Sequence, residues 1–165
     1  MGEPDAAVQP EVHAIVDRLG LVPNPLGGWF RQVHESPPPS GSGRPVATVI
    51  TYLLDAVLPT TVLHRMSADA IHYFHQGCPL ALITVSPAGR PARHVLGSDL
   101  DDGQSLQVVV PGGTWKAFEL VGGPWALISE AVAPGWMAAD QEEATPALYT
   151  RDHPDLADTI SRFVR

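Results

Sequence analysis

Apolar residues recur at helical spacing near each end of the chain and predict two helices. The first runs from Pro10 to Gly20, where the glycine ends it, and its apolar face consists of Val12, Ile15, Val16 and Leu19. The second spans residues 153–164, with Asp152 or His153 as its cap, and its apolar face consists of Leu156, Ile160, Phe163 and Val164. We expect both helices to pack on the outside of the domain.

The middle of the chain consists of short apolar or β-branched runs that are separated by turn sequences. The runs that predict strands are Val46–Leu54, Leu80–Val85, Leu106–Val110, Trp115–Val121 and Trp125–Val132. The turn sequences between them are Ser86–Gly89, Asp101–Gly103, Pro111–Gly113 and Gly122–Pro124. Regularly spaced strands with no helix between them predict an all-β sandwich or barrel. Residues 35–44, rich in proline, serine and glycine, are expected to form a surface loop.

The composition narrows the class of protein. With 165 residues, 44% of them hydrophobic, the chain suits one globular domain over residues 1–165. The formal charge of −8 argues against nucleic acid or an anionic membrane as a partner. The single cysteine, Cys78, leaves no internal disulfide and no cysteine-based zinc site. Without a signal sequence or an apolar run that could span a bilayer, the chain is expected to be cytoplasmic.

Several short motifs occur in a fixed order along the chain. They are Asn24–Arg31, Leu63–Arg65, Asp69, Gly77–Leu80, Leu96–Leu100, Gly103–Gln104, Gln107, Val109–Pro111, Gly113, Trp115 and Val132–Trp136. In order and spacing they resemble the DUF985, or cupin-5, family of the cupin superfamily over about residues 14–144. The resemblance implies a double-stranded β-helix, or jelly roll, that is usually a homodimer. It also implies a small-molecule pocket in the mouth of the barrel.

The cupin pattern has four metal-ligand positions, and this chain departs from it at three of them. Two histidines and a glutamate of the first motif and a histidine of the second correspond here to His64, Met66, Ala70 and Lys116. A divalent metal needs three or four nitrogen or oxygen ligands, and a lysine ammonium would repel it. We therefore expect neither a metal nor another cofactor. Compared with the narrower family, Leu26 and Ala70 also replace glutamates, which predicts a less acidic, more apolar ligand.

Three titratable residues are expected to share one apolar cavity. Because strand side chains alternate, an inward Ala70 places His72 on the same face, and the ligand pattern places His64 and Lys116 inward as well. A histidine moves protons near neutral pH, and a buried lysine becomes a reactive amine or pairs with an anion. His64, His72 and Lys116 are therefore the candidate catalytic residues, with Lys116 holding a developing oxyanion.

Each of these residues also has a purely structural interpretation. His72 could be a core histidine bonded to a backbone carbonyl, and the Lys116 ammonium could reach the barrel mouth. A residual metal site of His64, His72 and His75 would require side chains from both faces of a strand.

Aromatic, polar and apolar side chains supply the candidate substrate-binding residues. They are Trp29, Arg31, Tyr52, Met66, Phe74, Gln107, Phe118 and Trp136. Arg31 either binds a carboxylate or pairs with an acid, and Tyr52 either donates a proton or packs in the core. Asp69, four residues after Arg65, indicates a structural ion pair near the barrel mouth.

Three functions fit these residues. The first is a metal-independent isomerase, epimerase or cyclase that acts by acid–base chemistry on an apolar natural-product-like or sugar-derived substrate. The dTDP-sugar 3,5-epimerases, which are also jelly rolls, work without metal, but their His–Asp pair has no residue-by-residue match here. The second is a non-catalytic ligand-binding cupin. The third is a metal-dependent, dioxygenase-like cupin with non-standard ligands.

Overall fold

The computed structural model describes residues 9–147, 151 and 154–164. The strands of this part of the chain are β1 (Val22–Pro23), β2 (Trp29–Glu35), β3 (Thr48–Asp55), β4 (His64–Arg65), β5 (Asp69–Gly77), β6 (Leu80–Val85), β7 (Pro91–Leu96), β8 (Gln107–Val110), β9 (Trp115–Leu120), β10 (Trp125–Ala133) and β11 (Glu142–Glu143). Its helices include α1 (Pro10–Leu19) and α2 (Ala157–Ile160), with 3-10 turns at Ala138–Asp140, Pro154–Leu156 and Ser161–Phe163.

The strands form two antiparallel sheets. The six-stranded sheet has the order β1-β2-β3-β10-β5-β8, and the five-stranded sheet has the order β11-β4-β9-β6-β7. The prediction of an all-β core with short flanking helices is confirmed. Strands that are adjacent in a sheet are often distant in sequence, so most of the site residues are brought together by sheet pairing rather than by local turns.

The main hydrophobic core lies between the two sheets. Tyr52, Leu54 and Ile128 of the six-stranded sheet pack against Leu82 and Phe118 of the five-stranded sheet. All six residues of β6 are buried, because one face contributes to this core and the other is covered from outside. The run Leu80–Val85 is therefore apolar at every position except Thr84 instead of alternating.

Helix α1 covers the outer face of the six-stranded sheet. It starts with a proline in its first turn and ends at Gly20, whose φ of 63° is left-handed and whose N–H bonds the last carbonyls of the helix. Val12 and Val16 pack against Leu53 and Trp125. The predicted helix, its end and its packing role are all confirmed.

The C-terminal segment differs in detail from the predicted continuous helix over residues 153–164. The proposed caps, Asp152 and His153, lie outside the described residues. From residue 154 onward the chain forms a 3-10 turn, the single α-helical turn α2 and a second 3-10 turn. A segment this short gains little from helical hydrogen bonds. Its conformation follows instead from burying Ile160 and Phe163 against the outer face of the five-stranded sheet.

Strands β2 and β7 were not expected from the apolar pattern. Five of the seven residues of β2 and four of the six residues of β7 are exposed. Apolar alternation marks a strand with one buried face, so strands with mostly exposed residues escape it. The predicted surface loop does lie between the end of β2 and the start of β3.

Three predictions concern the location of the protein, its number of domains and its oligomeric state. None of the helices within the described residues is long and apolar enough to cross a membrane. The cytoplasmic location, the single domain and the homodimer remain predictions.

The turn before β2 depends on a glycine. Asn24 and Gly28 are joined by a backbone hydrogen bond of 2.9 Å, which closes the turn that carries Leu26. Gly28 has a φ of +73°, and a Cβ there would lie 2.4 Å from the Leu53 carbonyl oxygen and 2.6 Å from the Tyr52 hydroxyl. Both the backbone conformation and the lack of space therefore require glycine.

We expect Gly28→Ala to lower the free energy of unfolding by about 3 kcal/mol or more, because a left-handed φ and a steric overlap add. Gly41→Ala is the matched control, since Gly41 has a φ of +79° but no atom within 4 Å of the added Cβ. Its cost should be about 1 to 2 kcal/mol. Urea denaturation of both variants tests this, and equal losses would show that the close contact is unimportant.

Candidate functional site

A cavity opens between the two sheets. It has a volume of about 240 Å³. Its lining residues are Asn24, Pro25, Leu26, Phe30, Gln32, Thr48, Ile50, Tyr52, Thr61, His64, Met66, Phe118, Glu130, Val132, Trp136 and Gln141. Most of these side chains are apolar or aromatic, which is typical of a small-molecule pocket. The titratable groups among them are His64, Glu130 and the Tyr52 phenol.

Glu130 lies at the centre of a buried polar cluster. It stands opposite His72 in the pairing of β10 with β5, and Lys116 reaches it from β9 in the other sheet. The Lys116 Nζ and the His72 Nε2 each lie 2.8 Å from Glu130 Oε2, and they are 3.1 Å from each other. The ion pair of Lys116 and Glu130 thus joins the two sheets through the core.

The hydrogens of this cluster follow from its geometry. One ring nitrogen cannot both donate to Glu130 and accept from Lys116, so only one of its two contacts is a hydrogen bond. We assign the shorter contact, with His72 Nε2–H donating to Glu130 Oε2 and Lys116 donating to the same oxygen. The buried Nδ1 of His72 then carries the lone pair and makes no hydrogen bond of ordinary geometry among the described residues, although the Val108 backbone opposite it in β8 is close enough to act on its pKa.

Burial and charge act against each other in this cluster. Burial lowers the pKa of Lys116, although the neighbouring Glu130 opposes that shift. Burial and the charge of Lys116 lower the pKa of His72, which is therefore neutral. Burial by itself raises the pKa of Glu130, but Lys116 and His72 outweigh it and hold that pKa below its usual range. The 2.8 Å contact of Lys116 with Glu130 is that of an ion pair, in which one ammonium balances one carboxylate.

His64 presents a bare nitrogen to the cavity. Its Nδ1–H donates to the Val62 carbonyl oxygen over 2.9 Å, which fixes the ring and leaves the lone pair on Nε2. Nε2 has no hydrogen-bond partner among the residues that the structure describes. Burial, together with the nearby charge of Lys116, lowers the pKa of His64 to about 4. His64 is therefore a neutral hydrogen-bond acceptor at pH 7.

The three candidate catalytic residues lie close together in the structure, but only one of them, His64, lines the cavity. His64 lines the cavity, whereas His72 and Lys116 are only 0% and 1% exposed and do not. Both lie behind Glu130 and can act on a ligand only through its carboxylate. The expectation that Lys116 contacts a developing oxyanion does not fit this position, nor does the alternative that its ammonium reaches the barrel mouth.

Four of the eight candidate substrate-binding residues line the cavity: Tyr52, Met66, Phe118 and Trp136. Phe118 stacks on Tyr52 with 5.9 Å between ring centroids. The Tyr52 hydroxyl donates to the Gly27 carbonyl over 2.7 Å, so this ring is both core and cavity wall. Their role in binding a substrate stays a prediction.

The other four lie elsewhere. Trp29 packs with α1 and donates its Nε1–H to Asp55. Arg31 donates to the Leu19 carbonyl at the end of α1 and does not line the cavity, and among the described residues it forms no ion pair with an acidic side chain. Phe74 packs against the core without lining the cavity, and Gln107 is exposed at the start of β8.

Two further expectations are corrected by the contacts. Arg65 pairs with Glu142 at 2.7 Å and not with Asp69, whose carboxylate accepts the Gly112 N–H instead. The pairing of β4 with β11 places Glu142 directly opposite Arg65, which sequence separation concealed. His75 is exposed and hydrogen-bonds Ser129, so it cannot join His64 and His72 around a metal.

Glu130 is the functional residue that the sequence analysis missed. It lies within the run Trp125–Val132, which was interpreted only as a strand. The buried positions of that strand include Ala126, Ile128, Glu130 and Val132, so alternation alone places the acid inward. Glu130 lies on an apolar strand face and Lys116 was already predicted to point inward. Because buried charges are found in pairs, these two observations together could have predicted that Glu130 pairs with Lys116.

The comparisons with known proteins agree with this architecture. Residues 13–144 match the family described as "Cupin superfamily (DUF985)". The chain is therefore a cupin, and it belongs to the DUF985 family of that superfamily. The predicted cupin jelly roll is confirmed.

Individual relatives share both sequence and fold. The chain is 30% identical to the uncharacterized protein YML079W of Saccharomyces cerevisiae over an alignment 154 positions long, and this alignment covers 82% of this chain and 74% of the relative. Among solved structures, it resembles protein SO0799 of Shewanella oneidensis with a TM-score of 0.86 and 25% identity, covering 100% of this chain and 99% of that one. A hypothetical protein from Leishmania major gives a TM-score of 0.85 and 26% identity, with 92% and 97% covered.

More distant cupins share only the fold. Oxalate decarboxylase of Bacillus subtilis superposes with a TM-score of 0.56 at 14% identity, covering 87% of this chain but 34% of that enzyme. A likeness at this level carries no information about the reaction of the present chain.

The four cupin ligand positions do not suit a metal ion. Lys116 fills one of them with an ammonium that is already bonded to Glu130, and Met66 and Ala70 fill two others within a small apolar cluster. Only His64 offers a nitrogen ligand. Within the described residues no group of three or more His, Cys, Asp or Glu side chains is placed to hold a metal ion. These residues therefore do not fit the metal that the cupin fold commonly carries.

We expect Glu130→Gln to cost about 3 to 5 kcal/mol of the free energy of unfolding, because it leaves the Lys116 ammonium buried without its anion. Lys116→Met should cost a similar amount. The double variant Lys116→Met/Glu130→Leu should lose far less than the sum, since no buried charge remains.

Chemical denaturation measures these values. Glu119→Gln is the matched control, because it removes the same charge from an ion pair whose other member, Arg162, is 55% exposed. It should lower the free energy of unfolding by no more than about 1 kcal/mol. Additive losses in the double variant would contradict the close coupling of Lys116 and Glu130.

The stability of the protein should fall as the pH drops from 6.5 to about 4. His64 has a pKa of about 4 when folded and 6.5 when unfolded, so the unfolded chain takes up a proton that the folded chain does not. This lowers the free energy of unfolding by about 3 kcal/mol across that interval, and above pH 6.5 the effect is absent. The lowered pKa of His72 acts in the same direction.

The His64→Asn variant keeps a hydrogen-bond donor for the Val62 carbonyl but has no imidazole to titrate. The free energy of unfolding of this variant should therefore depend less steeply on pH than that of the wild type. The exposed His94→Asn is the control and should behave as the wild type. Urea denaturation between pH 7 and 4 gives the slopes. Equal slopes in the wild type and His64→Asn would contradict this assignment.

Proposed function

We propose that this cupin binds a mostly apolar small molecule in its cavity and converts it by acid–base chemistry without a metal, as an isomerase, epimerase or cyclase. The observation that supports this most directly is the buried Glu130 carboxylate. It lines an apolar cavity while its Oε2 is held by Lys116 and His72. Such a carboxylate is oriented before any substrate arrives, which is what general base catalysis requires.

Glu130 is the base in this proposal. Oε1 has no hydrogen-bond partner among the described residues and is available to take a proton from a substrate carbon beside a carbonyl. The electron pair of the broken C–H bond moves to the carbonyl oxygen and gives an enolate. The carboxylic acid then returns the proton to the other face or to a neighbouring carbon, and the product is an isomer of the substrate.

The remaining residues hold the reacting groups. Thr61 lines the cavity, and its hydroxyl oxygen accepts the Phe118 N–H, which leaves its hydrogen to donate to the enolate oxygen. His64 Nε2 accepts a hydrogen bond from the substrate. Lys116 and His72 are positioning residues that act through Glu130. His72 and Glu130 also form a histidine–carboxylate pair. The dTDP-sugar 3,5-epimerases use a pair of this kind, and their His–Asp pair has no residue-by-residue match in this sequence.

A second candidate function is ligand binding without turnover. The lowered pKa of Glu130 and the pKa of about 4 at His64 favour it, because both groups stay unprotonated near neutral pH and such weak bases remove protons from carbon slowly. In that case the cavity would recognise its ligand through two fixed acceptors and leave it unchanged.

Deuterium exchange in D₂O distinguishes these functions. A panel of cyclic ketones and hydroxyketones that fit the cavity is incubated with the protein, and NMR follows loss of the protons beside the carbonyl. We expect exchange of at least one bound compound to be faster with the wild type and to fall by about 100-fold or more in Glu130→Gln, as expected for loss of a general base. Glu119→Gln is the control and should exchange as the wild type.

Binding without Glu130-dependent exchange of any compound would overturn the enzymatic proposal and favour the binding function. Addition of a chelator should leave the exchange unchanged, and its loss on chelation would contradict metal-independent chemistry.

A further inference from the structure

The cavity has a buried interior and a more open rim, and the two parts differ in chemistry. Asn24, Gln32, Trp136 and Gln141 are exposed or half-buried, and these amide and indole groups form the rim. The interior residues are Leu26, Thr48, Tyr52, Thr61, His64, Met66, Phe118, Glu130 and Val132, each 9% exposed or less. A ligand that enters past the rim is therefore surrounded by carbon, with a few polar groups at defined places.

Two of the interior polar groups are acceptors that no residue of the described structure satisfies. They are the Oε1 of Glu130 and the Nε2 of His64. Neither atom is sealed from the cavity, since the fully buried polar atoms of the described residues that make no hydrogen bond are His72 Nδ1 and Asp140 Oδ2, and the latter is ion-paired with Arg44. An ionised carboxylate oxygen is the stronger acceptor of the two, because its hydrogen bonds are charge-assisted.

The charge of the site selects against ions. The Glu130 carboxylate is already balanced by Lys116, so a cationic ligand would enter a site with no excess negative charge. An anionic ligand would face the free oxygen of Glu130, and the described lining residues include no lysine or arginine. Moving an ion from water into such a cavity is costly without a partner, so a neutral ligand is favoured.

The volume sets the size of the ligand. An apolar cavity of about 150 Å³ holds benzene, so a cavity of 240 Å³ holds roughly ten non-hydrogen atoms by simple proportion. A compact bicyclic skeleton or a substituted ring fits this space, whereas a nucleotide or a sugar nucleotide does not.

From these observations we infer that the ligand is a neutral, compact, largely hydrocarbon molecule of about ten non-hydrogen atoms whose hydroxyl group donates a hydrogen bond to Glu130 Oε1. A second donor on the ligand is received by His64 Nε2. This inference rests on the proposed function, because it takes the same cavity as the substrate site. It adds the requirement for a donor: a molecule of the same shape with only an acceptor leaves the carboxylate desolvated and unpaired.

Borneol and camphor provide a matched pair of probes. They share one bicyclic skeleton of the required size, and borneol carries a hydroxyl where camphor carries a carbonyl oxygen. We expect the wild type to bind borneol about 10-fold or more tightly than camphor by isothermal titration calorimetry, as for a hydrogen bond to a charged group. Bornylamine, which is cationic at neutral pH, should bind more weakly than borneol.

Variants locate the preference at Glu130. In Glu130→Gln the preference for borneol should fall to about threefold or less, because an amide can donate as well as accept. In Lys116→Met/Glu130→Leu, which keeps the core free of unpaired charge, the preference should disappear. Glu119→Gln is the control and should keep the wild-type preference.

The inference is overturned if the wild type binds camphor as well as borneol, binds neither, or keeps its preference after Glu130 is replaced. These outcomes concern binding only and are measured on the wild type as well, so an unstable variant does not leave the question open. The proposed function fails independently of them. A bound ketone that shows no Glu130-dependent exchange overturns the chemistry, whereas a donor preference would still stand.

Discussion

A lysine from one sheet and a glutamate from the other meet inside an otherwise apolar core, and the arrangement of the site depends on this ion pair. Desolvation makes a buried pair costly, and the attraction of its charges repays that cost only when the geometry is good. Lys116 meets the condition by donating to Glu130 over 2.8 Å, with His72 as a second donor to the same oxygen. The pair fixes which strands face each other, because any shift of β9 relative to β10 would leave both charges unpaired.

The same constraint explains why the cavity has its particular chemistry. Lys116 and His72 occupy one oxygen of Glu130 from behind, and the other oxygen is left to the cavity. His64 is held in a similar way, since the Val62 carbonyl takes one nitrogen and the other remains free. In both side chains, one polar atom is hydrogen-bonded within the protein, and the other polar atom is left to accept a hydrogen bond from a ligand in the cavity. The cavity thus contains acceptors that are rigid without a ligand, which lowers the entropic cost of binding.

The sequence allowed the inward residues of single strands to be predicted, but not their partners across the barrel. His64, His72 and Lys116 were found because alternation within a strand needs only local spacing. Glu130 lies 58 residues from His72, and nothing local shows that β10 pairs with β5. The predicted partner of Arg65 was wrong for the same reason, because its actual partner, Glu142, lies 77 residues away. Side chains such as Trp29 and Arg31 were misplaced because α1, which they contact, docks on the sheet through tertiary packing alone.

Whether Glu130 removes a proton or only accepts a hydrogen bond depends on the balance of forces that act on its pKa. Lys116 and His72 lower that pKa, and burial raises it. A ligand that fills the cavity would keep water away from Oε1 and increase the desolvation of the carboxylate, whereas Lys116 and His72 contact the other oxygen, Oε2. The carboxylate therefore becomes more basic where the ligand excludes water from Oε1 without donating to it, whereas a ligand hydroxyl bonded to Oε1 favours the charged form and opposes that rise. Acid–base chemistry at this site is accordingly coupled to a ligand that fits closely enough to exclude water.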